Sequence, residues 1–175
     1  MCSSDLRNRI IGFVLAALIT IADQAVKGWV TGPLGLVFEG DKVVVNPVFN
    51  FTLTFNRGTS LGLFTANSDA QRWALVAMTA AIATVVLVWL LRERKLADIV
   101  PLAMVLGGAL GNIRDRVSFG YVVDYADLHF GNFQPFLVFN LADAAITIGV
   151  VIILARSFLI REKRPQEAGA PATET

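Results

Sequence analysis

The sequence predicts an all-α integral membrane protein, with four transmembrane helices and a small β element outside the bilayer. Three observations carry that prediction. Of 175 residues, 55% are hydrophobic and 17% charged, whereas a soluble domain carries about 25% charge. The apolar residues fall in four long blocks, each near the length of about 20 residues that crosses a bilayer. The basic residues gather in three places that alternate with two longer polar connections, which is the distribution that orients a multi-span chain.

The blocks are 10–30, 73–91, 97–113 and 139–159. The second is apolar all round, whereas a helix of a soluble bundle keeps one polar face. The third is the shortest, since only 99–110 is uninterrupted. Arg7 and Arg9 precede the first block, and Arg92, Arg94 and Lys95 lie between the second and third. Arg156, Arg161, Lys163 and Arg164 close the fourth. Those regions, and both termini, are expected on the cytoplasmic side, with 31–72 and 114–138 outside. Arg114 and Arg116 fall on the outer side and call for a separate explanation. Trp29 and Trp73 mark the outer interface and Trp89 the inner one.

Residues 1–160 form one four-span domain, and 161–175, rich in Pro, Ala, Glu and Thr, reads as a disordered tail. The first six residues read as unrelated to the fold. Cys2 has no second cysteine to pair with, and directly after Met1 it leaves no signal segment expected ahead of it. A net charge of +1 gives no reason to expect a nucleic-acid partner.

Between the first two spans, Phe49, Phe51, Leu53 and Phe55 alternate with Asn50, Thr52, Thr54 and Asn56. Period two predicts a strand with one apolar face. Residues 43–45 are its expected partner, with Asn46-Pro47 as the turn. Such a sheet either caps the helices or receives an extended peptide along an edge. The stretch 56–62 is polar and flexible in character.

Carboxylates stand in costly places. An acid at the centre of a span costs roughly 2.5–3.5 kcal/mol. Asp23 lies about 20 Å along the first span at 1.5 Å per residue, Asp115 at the exit of the third, and Asp143 one turn into the fourth. All three reach the same outer level, and Asp124 follows in the outer loop. Each has a structural reading too. Asp23 and Lys27, four apart, can pair. Asp115, on one face with Asn112 and Arg116, can satisfy an arginine. Asn140 and Asp143 fit an N-cap with an acid at N3. Gly107, Gly108 and Gly111 permit close helix packing, and His129 is a lone loop histidine.

The chemistry available is narrow. No paired His or Cys spacing suggests a catalytic metal, and no cofactor is expected. A Ser/Lys pair from Ser60 or Ser118 with Lys27 conflicts with Asp23 beside Lys27. Two carboxyls sharing a site remain: held close, one keeps a proton and the other stays charged. The charged one takes a proton from water and the other polarises a carbonyl, which hydrolyses a peptide without metal or covalent intermediate. A proton-coupled transporter also uses intramembrane acids, but this chain shows no inverted repeat. A non-catalytic lipid-binding or assembly module is the other alternative.

Five segments carry a family resemblance: Asp23-Gln24 with Lys27; Asn56-Arg57-Gly58; the run from Gly107 to Asn112 with Asp115-Arg116; Val123-Asp124-Tyr125; and Phe139-Asn140-Leu141-Ala142-Asp143. In these the sequence resembles the bacterial lipoprotein signal peptidases, the signal peptidase II family. The resemblance implies an aspartic endopeptidase of the inner membrane. Such an enzyme removes the signal peptide from diacylglyceryl-modified prolipoproteins, cutting on the amino side of the lipidated cysteine. It implies that Asp124 and Asp143 are the catalytic pair. Asn112, Arg116, Asn140 and Ala142 are expected to line the site and bind substrate or globomycin-type inhibitors. Asp23, Lys27, Asn56, Gly58 and Asp115 are expected to support it. The family's β-cradle corresponds to the strand at 49–56 and favours the substrate-platform reading. A monomer among membrane lipids, with its site near the periplasmic face, is the expected setting. The chain departs from the family pattern at Thr59, Ser60 and Leu61, at Arg114, and in the placement of Pro135.

Overall fold

A computed structural model describes residues 3–58, 69–131 and 133–162. Thr59, Ser60 and Leu61 lie outside the described residues, as do the stretch up to 68 and the tail from 163 onward. In chain order the elements are α1 (Ser3–Thr31), β1 (Lys42–Asn46), β2 (Phe49–Asn56), α2 (Asp69–Arg92), α3 (Leu96–Phe119), β3 (Val122–Leu128) and α4 (Leu141–Glu162). The four helices are each long and apolar enough to cross a membrane.

Their packing reflects where small residues fall. α3 is central and packs against α1, α2 and α4. Its glycines make that possible. A Cβ at Gly107 would stand 2.6 Å from Ala16 O of α1, and one at Gly108 would collide with Ala142 O of α4. Ala16, Leu90, Ile99, Leu102 and Leu106 form the interior. The outer faces stay apolar, with Ile21 64%, Val85 67% and Phe158 70% exposed, which suits hydrocarbon as the surrounding solvent. At the end away from the sheet, Arg156 Nε donates to Asp98 Oδ1 at 2.7 Å and ties α4 to α3.

The three strands form one antiparallel sheet in the order β1-β2-β3. The turn at Asn46 is as expected: Val48 N donates to Asn46 Oδ1 at 2.9 Å. The apolar face of β2 covers the end of α1, with Leu53 and Val30 fully buried beside Tyr125 and Ala126. Trp29 meets Phe51 edge-on at 5.6 Å. The other face of β2 is not simply solvated. Asn50 is 2% exposed, and Thr52 Oγ1 donates to Asp127 Oδ2 at 2.9 Å.

Several sequence boundaries shift. α1 begins at Ser3, so residues 3–6 continue the first helix. α3 runs six residues past the expected end, which puts Asp115 and Arg116 inside a helix instead of at its exit. Asp124 lies on a strand, not in a loop. β3 has no period-two signature in the sequence because Val122 to Asp127 are buried on both faces, and a strand buried on both sides shows no alternation.

Candidate active site

Each acidic residue reaches the site from a different element. α1 brings Asp23 and Lys27, α3 brings Asn112, Asp115 and Arg116, β3 brings Asp124, and the start of α4 brings Asn140 and Asp143. β2 ends there with Asn56, whose backbone pairs with Val122.

The foundation is a buried ion cluster. Lys27 Nζ stands 2.7 Å from Asp23 Oδ2, 2.8 Å from Asp115 Oδ2 and 3.2 Å from Asn112 Oδ1. An ammonium has three N–H donors, and here all three are used. The sequence expectation that Asp23 and Lys27 pair holds. The expectation that Asp115 serves an arginine is corrected: its close cation is Lys27, because α3 continues as a helix and turns Asp115 toward α1. Gln24, outside the site residues expected from the sequence, joins this cluster: its Nε2 donates to Asp115 Oδ1 at 2.8 Å and to Gly111 O at 3.2 Å.

The first turn of α4 is held by two other elements and by the residue just before it. Its free N–H groups need acceptors. Leu141 N donates to Tyr125 Oη at 3.1 Å, Ala142 N to Asp23 Oδ1 at 3.0 Å, and Asp143 N to Asn140 Oδ1 at 2.8 Å. Asn140 N donates back to Asp143 Oδ2 at 3.3 Å. The capping reading of Asn140 and Asp143 is thus correct, with Asp143 on the first turn as the returning partner. Ala142 is fully buried, and its side chain packs toward Gly111.

One residue joins the two candidate acids. Asn140 Nδ2 donates to Asp124 Oδ1 at 2.6 Å, while its Oδ1 holds the N–H of Asp143. Asn112 Nδ2 donates to Asp143 Oδ1 at 2.7 Å. Asn56 Nδ2 donates to Asp124 Oδ2 at 3.0 Å, and the Asn56 Oδ1 is occupied by Gly58 N at 2.9 Å. Gly58 has φ of 92°, a conformation that favours glycine, and a Cβ there would lie 2.5 Å from Leu75 Cδ1.

Burial first, and the negative charge of Asp143 second, push Asp124 up to about 7. The amide donors of Asn56 and Asn140 act against that rise. The Arg116 guanidinium feels the carboxylates of Asp143, Asp124 and Asp115. Its buried Nε has no hydrogen-bond partner among the described residues. His129 is not isolated: its ring stands 3.9 Å from Asp127 at the far end of β3. No cluster of metal-binding side chains is present among the described residues.

Two hollows meet at the acids. A groove of about 440 Å³ is lined by Asp143 and descends along α4 past Ala144 to Thr147 and Ile148. A second of about 460 Å³ is lined by Asp124 and Thr54. The two share Asn56, Leu137 and Val138. A space with carboxyls at one end and apolar helix at the other fits a chain that is part peptide and part lipid.

Against known proteins, the family model described as Signal peptidase (SPase) II matches residues 15–159. The chain belongs to the signal peptidase II family. It is 47% identical over 163 residues to the lipoprotein signal peptidase of Sphingopyxis alaskensis, covering 93% of this chain and 94% of that protein. The corresponding Rhizorhabdus wittichii protein is 46% identical over 157 residues, covering 90% and 91%. A solved bacterial membrane enzyme, determined at 2.3 Å by the in meso method, superposes with a TM-score of 0.76. It is 26% identical and covers 91% of this chain and 94% of its own. As a signal peptidase II, the chain is a multi-pass protease of the bacterial inner membrane.

Proposed function

We propose that the chain removes signal peptides from diacylglyceryl-modified prolipoproteins, cutting on the amino side of the lipidated cysteine, with Asp124 and Asp143 as the catalytic pair. The observation that carries this reading is Asn140: one side chain donates to Asp124 and accepts the backbone N–H of Asp143 at the junction of two hollows. One proton is shared by the pair. The charged carboxylate takes a proton from water, and the resulting hydroxide oxygen attacks the scissile carbonyl carbon. The protonated acid hydrogen-bonds to the carbonyl oxygen and stabilises the tetrahedral intermediate. Collapse breaks the C–N bond, the departing cysteine amine receives a proton from the pair, and the pair returns to one proton.

The supporting residues have distinct tasks. Arg116 Nε is a buried donor with spare capacity beside the acids, suited to a substrate carbonyl. Asn112, Asn140 and Asn56 hold carboxyl oxygens, and Gly58 holds Asn56. Globomycin-type peptides would occupy the same groove. The bias of cations toward the end opposite the sheet supports both termini in the cytoplasm and the site near the periplasmic face. The groove is built within one chain, which supports a monomer.

Asp124→Asn and Asp143→Asn test the pairing. Each is expected to lower cleavage of a diacylglyceryl-modified precursor by about 10²-fold to 10⁴-fold or more while the protein stays inserted. The readout is a gel shift, with and without globomycin. Wild-type rates in both variants would overturn the assignment.

A further inference from the structure

A third cavity, of about 420 Å³, shares no lining residue with the groove at Asp143 and only Phe55 with the hollow at Asp124. It lies between the last turns of α1 and α3, at the sheet end of the spans. Two basic residues line it: Lys27, already paired with Asp23 and Asp115, and Arg114, one of the two arginines that the positive-inside pattern leaves unexplained. Among the described residues Arg114 makes one hydrogen bond, to Gln24 Oε1, and no ion pair. A guanidinium offers five N–H donors and one full charge, so most of its capacity is unused.

The remaining lining fits an anion with an apolar portion. Tyr121 packs its ring against Phe55 and Phe119, and its hydroxyl has no hydrogen-bond partner among the described residues. Asp115 is the one carboxylate in the lining. Its oxygens are taken by Gln24 Nε2 at 2.8 Å, Lys27 Nζ at 2.8 Å and Val123 N at 3.2 Å. Leu36 and Val37 supply apolar wall, and Phe119 is 56% exposed. A guanidinium matches a phosphate with two parallel hydrogen bonds. The apolar wall suits the glycerol and upper acyl chain that a lipid phosphate carries.

We propose that this cavity is a phospholipid site, in which Arg114 holds the phosphodiester of a lipid from the leaflet on the sheet side. It is separate from the groove assigned to substrate.

Gly28 offers a direct test. It lines the cavity, and a Cβ added there meets nothing within 4 Å. Gly28→Leu therefore places bulk in the cavity without a clash at its Cβ, and Gly28→Ala serves as its control. The full chain is loaded with dioleoylphosphatidylglycerol in detergent, and retained lipid is counted by native mass spectrometry. Wild type and Gly28→Ala are expected to hold one lipid per chain. Arg114→Gln and Gly28→Leu are expected to bind it about tenfold or more weakly. Arg114 is exposed, so Arg114→Gln decides the matter even where Gly28→Leu fails to insert. Unchanged retention in Arg114→Gln would overturn the proposal. So would displacement of the lipid by inorganic phosphate at equal concentration, which would mark a free-phosphate site.

Discussion

Lys27 Nζ stands 3.2 Å from Asn112 Oδ1, and this contact sets which way the Asn112 amide faces. An ammonium can only donate, so Asn112 must turn its oxygen toward Lys27. Its Nδ2 is then aimed at Asp143 Oδ1, 2.7 Å away. A lysine with no contact to the groove thereby positions one of the acids. Lys27→Met leaves Asp23 and Asp115 buried without their cation, which is expected to cost about 3–5 kcal/mol and to abolish cleavage. Lys27→Gln also removes the charge but keeps a donor for Asn112. It is expected to retain measurably more kcat than Lys27→Met at similar thermal stability. Equal kcat in the two variants would reduce Lys27 to a charge-balancing role.

Much of this was legible in the sequence, and the reason is energetic. A carboxylate within an apolar span is costly, so Asp23, Asp115 and Asp143 announce themselves, and helical rise places them at one level. The alternation from Phe49 to Asn56 likewise reads as a strand because one face is apolar. What was not legible depends on partners distant in the chain. Tyr125 caps α4 across 16 residues, and Asp23 does so across 119. Neither pairing leaves a local pattern. β3 is silent in the sequence because burial on both faces erases the alternation that exposes β2.

Tyr125 gives a second expectation. Its hydroxyl accepts the N–H of Leu141, and the ring is 6% exposed. Tyr125→Phe keeps the ring and removes the acceptor, leaving a helix N-terminal donor unpaired. A loss of about 1–3 kcal/mol in stability follows, together with lower kcat as the turn bearing Asp143 loosens. A thermal midpoint and kcat both equal to wild type would show that this cap is dispensable.

At Gly58 the backbone itself carries the argument. With φ at 92°, alanine is strained at this position, and Leu75 Cδ1, 2.5 Å from where its Cβ would stand, must also move aside. Gly58 N is what orients the Asn56 amide toward Asp124. Gly58→Ala is expected to slow cleavage about tenfold or more while the helices remain inserted, since the sheet end is what shifts. Steady-state kinetics on a lipidated precursor would check it, and an unimpaired rate would contradict the coupling from Gly58 through Asn56.

Asp124 also makes stability depend on pH, with a sign opposite to that of most native carboxylates. Its ordinary value is 3.8, and in the folded protein burial and then Asp143 raise it to about 7. Between those values the unfolded chain releases this proton while the folded one keeps it. Stability therefore falls as pH rises through that window and levels off above about 7. Asp127 acts the other way: burial raises it, but hydrogen bonds from Thr52 and Asn50 and the charge of Lys42 outweigh that and hold it below the ordinary range. Its contribution is lost only as pH falls below the ordinary carboxylate value, so the two windows separate. Cleavage follows the same proton. The proposed Asp124–Asp143 pair needs one, so under that proposal kcat/KM is expected to decline on the alkaline side with an apparent pKa near 7. Asp124→Asn removes the titration and should flatten the melting temperature across this window. A wild-type profile of melting temperature that climbs steadily with pH through the window would show that Asp124 is not held protonated by the fold.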